Sequence, residues 1–135
     1  MKIIGFNFSK IHAEKSDKAF EKINIKTNID ISEITEVKSD IFDKKESLVG
    51  TRFEFKVDYE PEYAQISFNG FVLFSLEKKE ADEVLKLWKD KKISENFKVV
   101  LFNAILKKSN LKALQLEEEL NLPLHIPLPS VKSTK

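Results

Sequence analysis

Two runs in which apolar residues recur at every second position, on either side of a proline, leave this chain little freedom in its fold. Phe53, Phe55, Val57 and Tyr59 alternate with Arg52, Glu54, Lys56 and Asp58, while Ile66, Phe68, Val72 and Phe74 share one parity further on. Successive side chains of a strand point to opposite faces, so each run reads as a strand with one apolar face. Between them lies Glu60-Pro61-Glu62, and proline presets the backbone for the second position of a tight turn. The segment therefore predicts a hairpin of strands three and four.

The same period-two reading places two strands before this hairpin. Ile4, Phe6 and Phe8 fall on one face, and the apolar parity shifts by one at Ile11, which predicts a bulge near Ser9-Lys10. Ile23, Ile25, Ile29 and Ile31 then hold one parity against Lys22, Asn24, Lys26, Asn28 and Asp30. A charged connection from Lys38 to Ser47 carries the apolar pair Ile41-Phe42. Gly70, inside a strand pattern, marks a bulge or a close backbone approach.

After Leu76 the period changes. Ala81, Val84, Leu85 and Trp88 recur at helical spacing across Lys79 to Lys91. Ser94 is placed to cap a second helix with the stripe Phe97, Val100, Leu101, Ala104 and Ile105. Ser109-Asn110 interrupts the pattern, and Leu111 to Leu120 predicts a shorter third helix. Pro123, Pro127 and Pro129 forbid regular helix beyond it, leaving an extended apolar tail from Leu122 to Val131. The fold class is thus α+β: a four-stranded antiparallel sheet packed against C-terminal helices, in a single domain spanning 1–135.

Composition narrows the function. The 135 residues carry 23 Lys+Arg against 22 Asp+Glu, so the chain lacks the excess positive charge with which nucleic-acid binders neutralise phosphates. Arg52 is the only arginine, which removes the guanidinium forks that read phosphates and bases. There is no cysteine, excluding disulfides, thiolate metal sites and cysteine nucleophiles and fitting a reducing compartment. No apolar run approaches the about 20 residues of a membrane span, and the alternating N-terminus lacks the core of a signal peptide. A cytoplasmic location is expected.

A search for chemistry comes back empty. His12 lies near Ser9 and Asp17 without the order a triad needs, and reads as a surface histidine at a strand end. His125, between Leu124 and Ile126, reads as a packed tail residue and not a metal ligand. Glu117-Glu118-Glu119 is a consecutive run, which points around a helix and reads as a solvated face. The three glycines are too scattered for a phosphate loop. No catalytic residue, metal site or cofactor is predicted.

What stands out is apolar residues that one core does not require. Phe71 and Leu73 lie on the parity opposite the core residues of their strand. Ile41, Phe42 and Leu48 sit in or beside the charged connection, the tail adds Leu122, Leu124 and Ile126, and Val99, Phe102 and Leu106 widen the stripe of the second helix. Several such residues together point to an oligomer interface or to a groove for apolar segments of another chain.

The order of elements, with an apolar helix Leu101-Phe102-Asn103-Ala104-Ile105-Leu106 running into Leu120-Asn121-Leu122-Pro123-Leu124-His125-Ile126-Pro127-Leu128-Pro129, resembles the SecB family of export chaperones from about Phe6 to Pro129. The resemblance implies an ATP-independent holdase, a homotetramer built as a dimer of dimers, that binds non-native polypeptides in apolar grooves and needs no cofactor. On that reading Ile11, Ile41, Phe42, Leu48, Phe71, Leu73, Leu122, Leu124 and Ile126 touch clients, and Val99, Phe102 and Leu106 meet a neighbouring subunit. Two departures stand against a role in export. The net charge is +1 where classical members are strongly acidic, and Ser130 to Lys135 offer no counterpart to the family's last helix. The alternatives are a nucleic-acid-binding module with a Lys- and Phe-bearing sheet, and a non-catalytic oligomeric scaffold.

Overall fold

The computed structural model describes residues 1–38, 46–131 and 133. Four long strands, β1 (Lys2–Lys15), β2 (Asn24–Val37), β3 (Glu46–Glu60) and β4 (Ala64–Glu77), precede two helices, α1 (Lys78–Trp88) and α2 (Glu95–Glu119). The strands form one antiparallel sheet in the order β1-β4-β3-β2. The predicted hairpin is its centre, with Phe55 paired to Phe68 and Val57 to Ile66.

Because directly paired residues share a face, the register sorts every side chain to one side of the sheet. Phe53, Phe55, Val57, Tyr59, Ile66, Phe68, Val72 and Phe74 all point to the side that carries the helices, and all are buried in one cluster with Ala81, Val84, Phe97, Leu101 and Ile105. Aromatic rings fill this layer: Phe55 stacks on Phe68 at 5.8 Å, and Phe74 meets Phe97 of α2 at 4.7 Å. Both helices therefore lie on one face, and among the described residues the opposite face carries no helix.

Bulges adjust the outer strands to this core. The expected bulge near Ser9 is present as a register shift between Phe8 and Lys10, bringing Ile11 and Ala13 onto the face of Phe6 and Phe8. A second shift between Ile3 and Gly5 corrects the sequence reading, because it takes Ile4 out of register and makes Ile3, paired with Phe74, the partner of that face. A third, between Ile31 and Glu33, swings Ile34 inward, where it is buried. Gly70 marks a close approach: a Cβ there would stand 2.4 Å from the ring of Phe53 and 2.9 Å from the backbone oxygen of Asn7.

The helical region departs from expectation at one point. Ser94 is the N-cap residue of α2, although its side chain makes no capping bond. The helix then runs unbroken through Ser109 and Asn110, where a break was expected. Its buried residues, Phe97, Leu101, Ile105, Ser109, Ala113 and Glu117, recur every four positions. With 3.6 residues per turn such a row winds about 40° around the helix at each step, and it carries α2 across the sheet, from Phe97 against Phe74 of β4 to Glu117 against Tyr59 of β3. Ser109 lies in this row, wholly buried with its Oγ unpaired, so it serves the helix as part of the packed face and not as a stop.

Gly70→Ala is expected to lower stability by about 1–3 kcal/mol, the usual cost of forcing a methyl group into a filled space. Urea denaturation would show the midpoint falling with the slope unchanged.

Candidate functional site: an apolar patch and an anchored tail

The helix-free face of the sheet is divided. At the hairpin-turn end it is polar, with Lys56, Asp58, Gln65 and Ser67 in register. At the other end Leu48, Gly50, Phe71 and Leu73 share the face, with Val37 paired to Leu48 on the next strand. Gly50 makes the patch flat: its missing Cβ would stand 2.5 Å from the ring of Phe71 and 3.1 Å from Val37. The Arg52 guanidinium lies 5.4 Å from the centre of the Phe71 ring, while its Nε pairs with Glu33 at 3.3 Å. Phe71 and Leu73 are half-buried, whereas Leu48 is 4% exposed and offers little surface.

The remaining predicted client residues lie elsewhere. Ile11, 47% exposed, pairs with Phe68 and so belongs to the helix side of the edge strand β1. Leu124 is exposed and Ile126 half-buried in the tail, but Leu122, 6% exposed, is part of the core. Ile41 and Phe42 lie outside the described residues. The seven described residues are therefore not gathered into one groove, and Leu48 and Leu122 are packed and not presented. Of the predicted interface residues, Val99 is 51% exposed, and Phe102 and Leu106 pack partly against the core. A separate cleft of about 390 Å³, lined by Ile3, Phe6, Val100, Asn103, Ala104 and Lys107, involves none of the three.

The tail is anchored by residues that sequence reasoning passed over. Helix α2 ends with Asn121 in the left-handed region (φ 54°), its N–H donating to Glu118 O at 3.2 Å and that of Leu122 to Glu117 O at 2.8 Å. These paired bonds form a Schellman cap, which asparagine accepts when glycine is absent, and they turn the chain back along the helix. Lys15 of β1 donates to the freed Leu120 carbonyl at 3.0 Å, a cation where the helix dipole favours one.

Below this turn Glu117 is wholly buried, correcting its reading as part of a solvated face; Glu118 and Glu119 are exposed as expected. Its carboxylate accepts from Tyr59 Oη at 2.8 Å, from the backbone N–H of His125 at 3.1 Å and from His125 Nδ1 at 2.8 Å. Nε2 of the same ring lies 2.8 Å from Asn110 Oδ1, and Tyr59 Oη also lies 2.6 Å from Pro123 O. The His125 and Glu117 side chains are 1% and 0% exposed. Burial, followed by the adjoining Glu117 carboxylate, pushes the Tyr59 hydroxyl well above the ordinary tyrosine range. A tyrosine, a carboxylate and a histidine in sequence could pass for catalytic machinery, but sealed from solvent they offer a substrate no access. His12, at a partly exposed position 3.6 Å from Glu14, joins no such group. Among the described residues no cluster of three His, Asp or Glu could hold a metal ion, and no helix is long and apolar enough to cross a membrane.

Fold and topology together define a SecB-like α+β fold. One solved structure that shares it is a Mycobacterium tuberculosis SecB-like chaperone, Rv1957, in complex with a ChAD peptide from the antitoxin Rv1956 HigA1. It matches with a TM-score of 0.56 and 10% sequence identity over 99% of this chain and 92% of that one. No family model and no curated protein matches the sequence.

Glu117→Ala is expected to cost about 3–5 kcal/mol, because it strands a buried histidine without its partner. Tyr59→Phe should cost about 1–3 kcal/mol for the unmet carboxylate contact; chemical denaturation reads both. The raised Tyr59 value also sets a sign. The folded chain keeps the phenolic proton after the unfolded chain loses it near pH 10, so stability falls as pH rises above about 10. The part of that fall due to Tyr59 should vanish in Tyr59→Phe, as denaturation profiles across alkaline pH would show.

Proposed function

We propose that this chain is a SecB-like chaperone, a non-enzymatic holdase that binds non-native polypeptides in the cytoplasm without ATP. The observation that carries the reading is the apolar end of the helix-free sheet face. Phe71 and Leu73 stand there over Gly50 and Val37 with no helix among the described residues to cover them, on a fold shared with a peptide-bound SecB-like chaperone. Burying apolar segments of an unfolded chain supplies the driving force, and binding only the unfolded form restrains it from aggregation by mass action. Neither step needs a cofactor or a reactive group.

The SecB-like assembly, a dimer of dimers, is part of the same proposal. Val99 is the most exposed of the three interface candidates, and the separate cleft of Ile3, Phe6, Val100 and Ala104 is apolar along its walls. Such a surface suits subunit contact better than water. A nucleic-acid module finds no comparable support: the polar end of the open face mixes Lys56 with Glu54 and Asp58, so it presents no positive stripe.

Dilution of a chemically denatured protein into buffer without ATP tests the function. Light scattering should be suppressed at near-stoichiometric amounts of the chain and equally at low and high salt, since apolar capture is insensitive to screening while phosphate-type contacts are not. The double substitution Phe71→Ser with Leu73→Ser should weaken suppression by about tenfold, equivalent to about 1.4 kcal/mol of binding, with the far-UV circular dichroism unchanged. Absence of suppression at every ratio would overturn the holdase reading. Unfolding of the double variant would show the patch to be core.

A further inference from the structure

The tail is held in a manner unlike the rest of the molecule. Strands are joined by ladders and helices by apolar packing, but from Leu122 to Ile126 the chain is attached through three side chains of other elements, Tyr59, Asn110 and Glu117. Each contact reads a different feature of the segment. Tyr59 Oη meets the carbonyl of Pro123, the Glu117 carboxylate takes the N–H and the ring Nδ1 of His125, and Asn110 meets the far side of that ring. The edge of Phe55 lies 6.2 Å from the imidazole, and Leu122 fills an apolar position beneath. Beside it a cleft of about 420 Å³, lined by Leu114, Gln115, Glu118, Leu122, Leu124 and Leu128, is left partly filled. Leu124 and Leu128 are exposed along it.

From this arrangement we infer that β3 and the C-terminal half of α2 form a peptide-recognition site whose resident ligand is the chain's own tail. The site takes an extended segment of the pattern Leu-Pro-x-His, supplied in cis here and replaceable by the same pattern on another polypeptide. Its specificity is polar: a buried carboxylate that accepts from both the main chain and the side chain of one residue selects a histidine, and a competitor without that ring leaves it one buried contact short. The proline keeps the segment extended and lacks an N–H that would need a partner. Beyond the buried anchors Leu122 and His125, Leu124 and Leu128 stay exposed on one flank, so removing the His125 anchor is what should free the segment to open locally. The inference deepens the reading of the chain as a polypeptide binder, but its test uses no unfolded client, so the two stand or fall separately.

The test uses the full chain with His125→Ala and, as a second variant, Asn110→Ala, which removes only the contact to the far ring nitrogen. A fluorescent peptide spanning residues 121–130 serves as the probe, in its natural sequence and with its histidine replaced by alanine. Hydrogen exchange should show residues 122–126 opening in His125→Ala. That variant should then bind the natural peptide saturably, at least about tenfold more tightly than the unaltered chain, in which the tethered tail competes at high effective concentration. The peptide lacking histidine should bind at least about tenfold more weakly. Asn110→Ala should lie between the two chains in both readouts. If residues 122–126 stay protected in both variants, the polar contacts do not hold the tail, and the inference fails. If they open and neither peptide binds, or both bind alike, the cleft does not recognise the segment, and the inference fails equally.

Discussion

Everything in this molecule follows from a sheet that is apolar across one face and only at one end of the other. Four strands of 14 or 15 residues present a continuous aromatic and branched layer on the helix side, from Val49 and Phe74 at one end to Tyr59 and Ala64 at the other. A surface of that length cannot be covered by the 11 residues of α1 alone, so α2 has to lie on the same side. Once both helices are committed there, no helix or strand among the described residues is left to cover the opposite face. Its polar half faces water without cost; its apolar end, around Phe71, does not. The uncovered patch is thus a consequence of where the chain spends its helices.

How far this was legible in the sequence depended on how local the determining interaction is. The hairpin could be read because each arm keeps one apolar parity on either side of Pro61. The bulge at Ser9 was visible as a change of parity, and Gly70 as a residue with a packing reason. Ile4 was assigned to the wrong side because a second bulge three residues from the chain start leaves too short a run to show a parity change. Ile34 was passed over for the same reason, lying just beyond the bulge after Ile31. Ser109-Asn110 looked like a helix break by intrinsic propensity. The break is overridden by packing, because Ser109 lies in the buried row of the helix and Asn110 meets the His125 ring.

The tail network was the least legible part. Glu117 belongs to a run of three acids, and nothing within a helical turn marks one of them as buried. Its partners are eight residues ahead and 58 behind, brought together only after α2 has crossed the sheet and the Schellman cap has reversed the chain. One signal was available: Asn121 followed by Pro123 is a helix-stop pattern, and a chain turned back at that point must run beside the helix it has left. That would have placed His125 near the second half of α2, though not against Glu117 itself.

A buried polar network is a costly way to fasten a short segment, since desolvating its groups consumes much of what their contacts return. Leucine in place of Glu117 and His125 would hold the tail at least as firmly if adhesion were the only requirement. What the polar arrangement adds is direction. The carboxylate accepts two bonds from one residue, the tyrosine reads the carbonyl of another, and a shift of the segment by one position would leave a charge unpaired in the core. The arrangement also answers a difficulty created by the sequence of α2 itself, which ends in three glutamates with no basic residue in its last turn, against the preference of the helix dipole. Lys15 and His125 bring cationic or proton-donating groups to that end from outside the helix. The apolar patch on the open face needs no such register, because it has only to exclude water. The two surfaces therefore suit different tasks: the patch accepts any apolar segment, and the tail cleft one segment in one register.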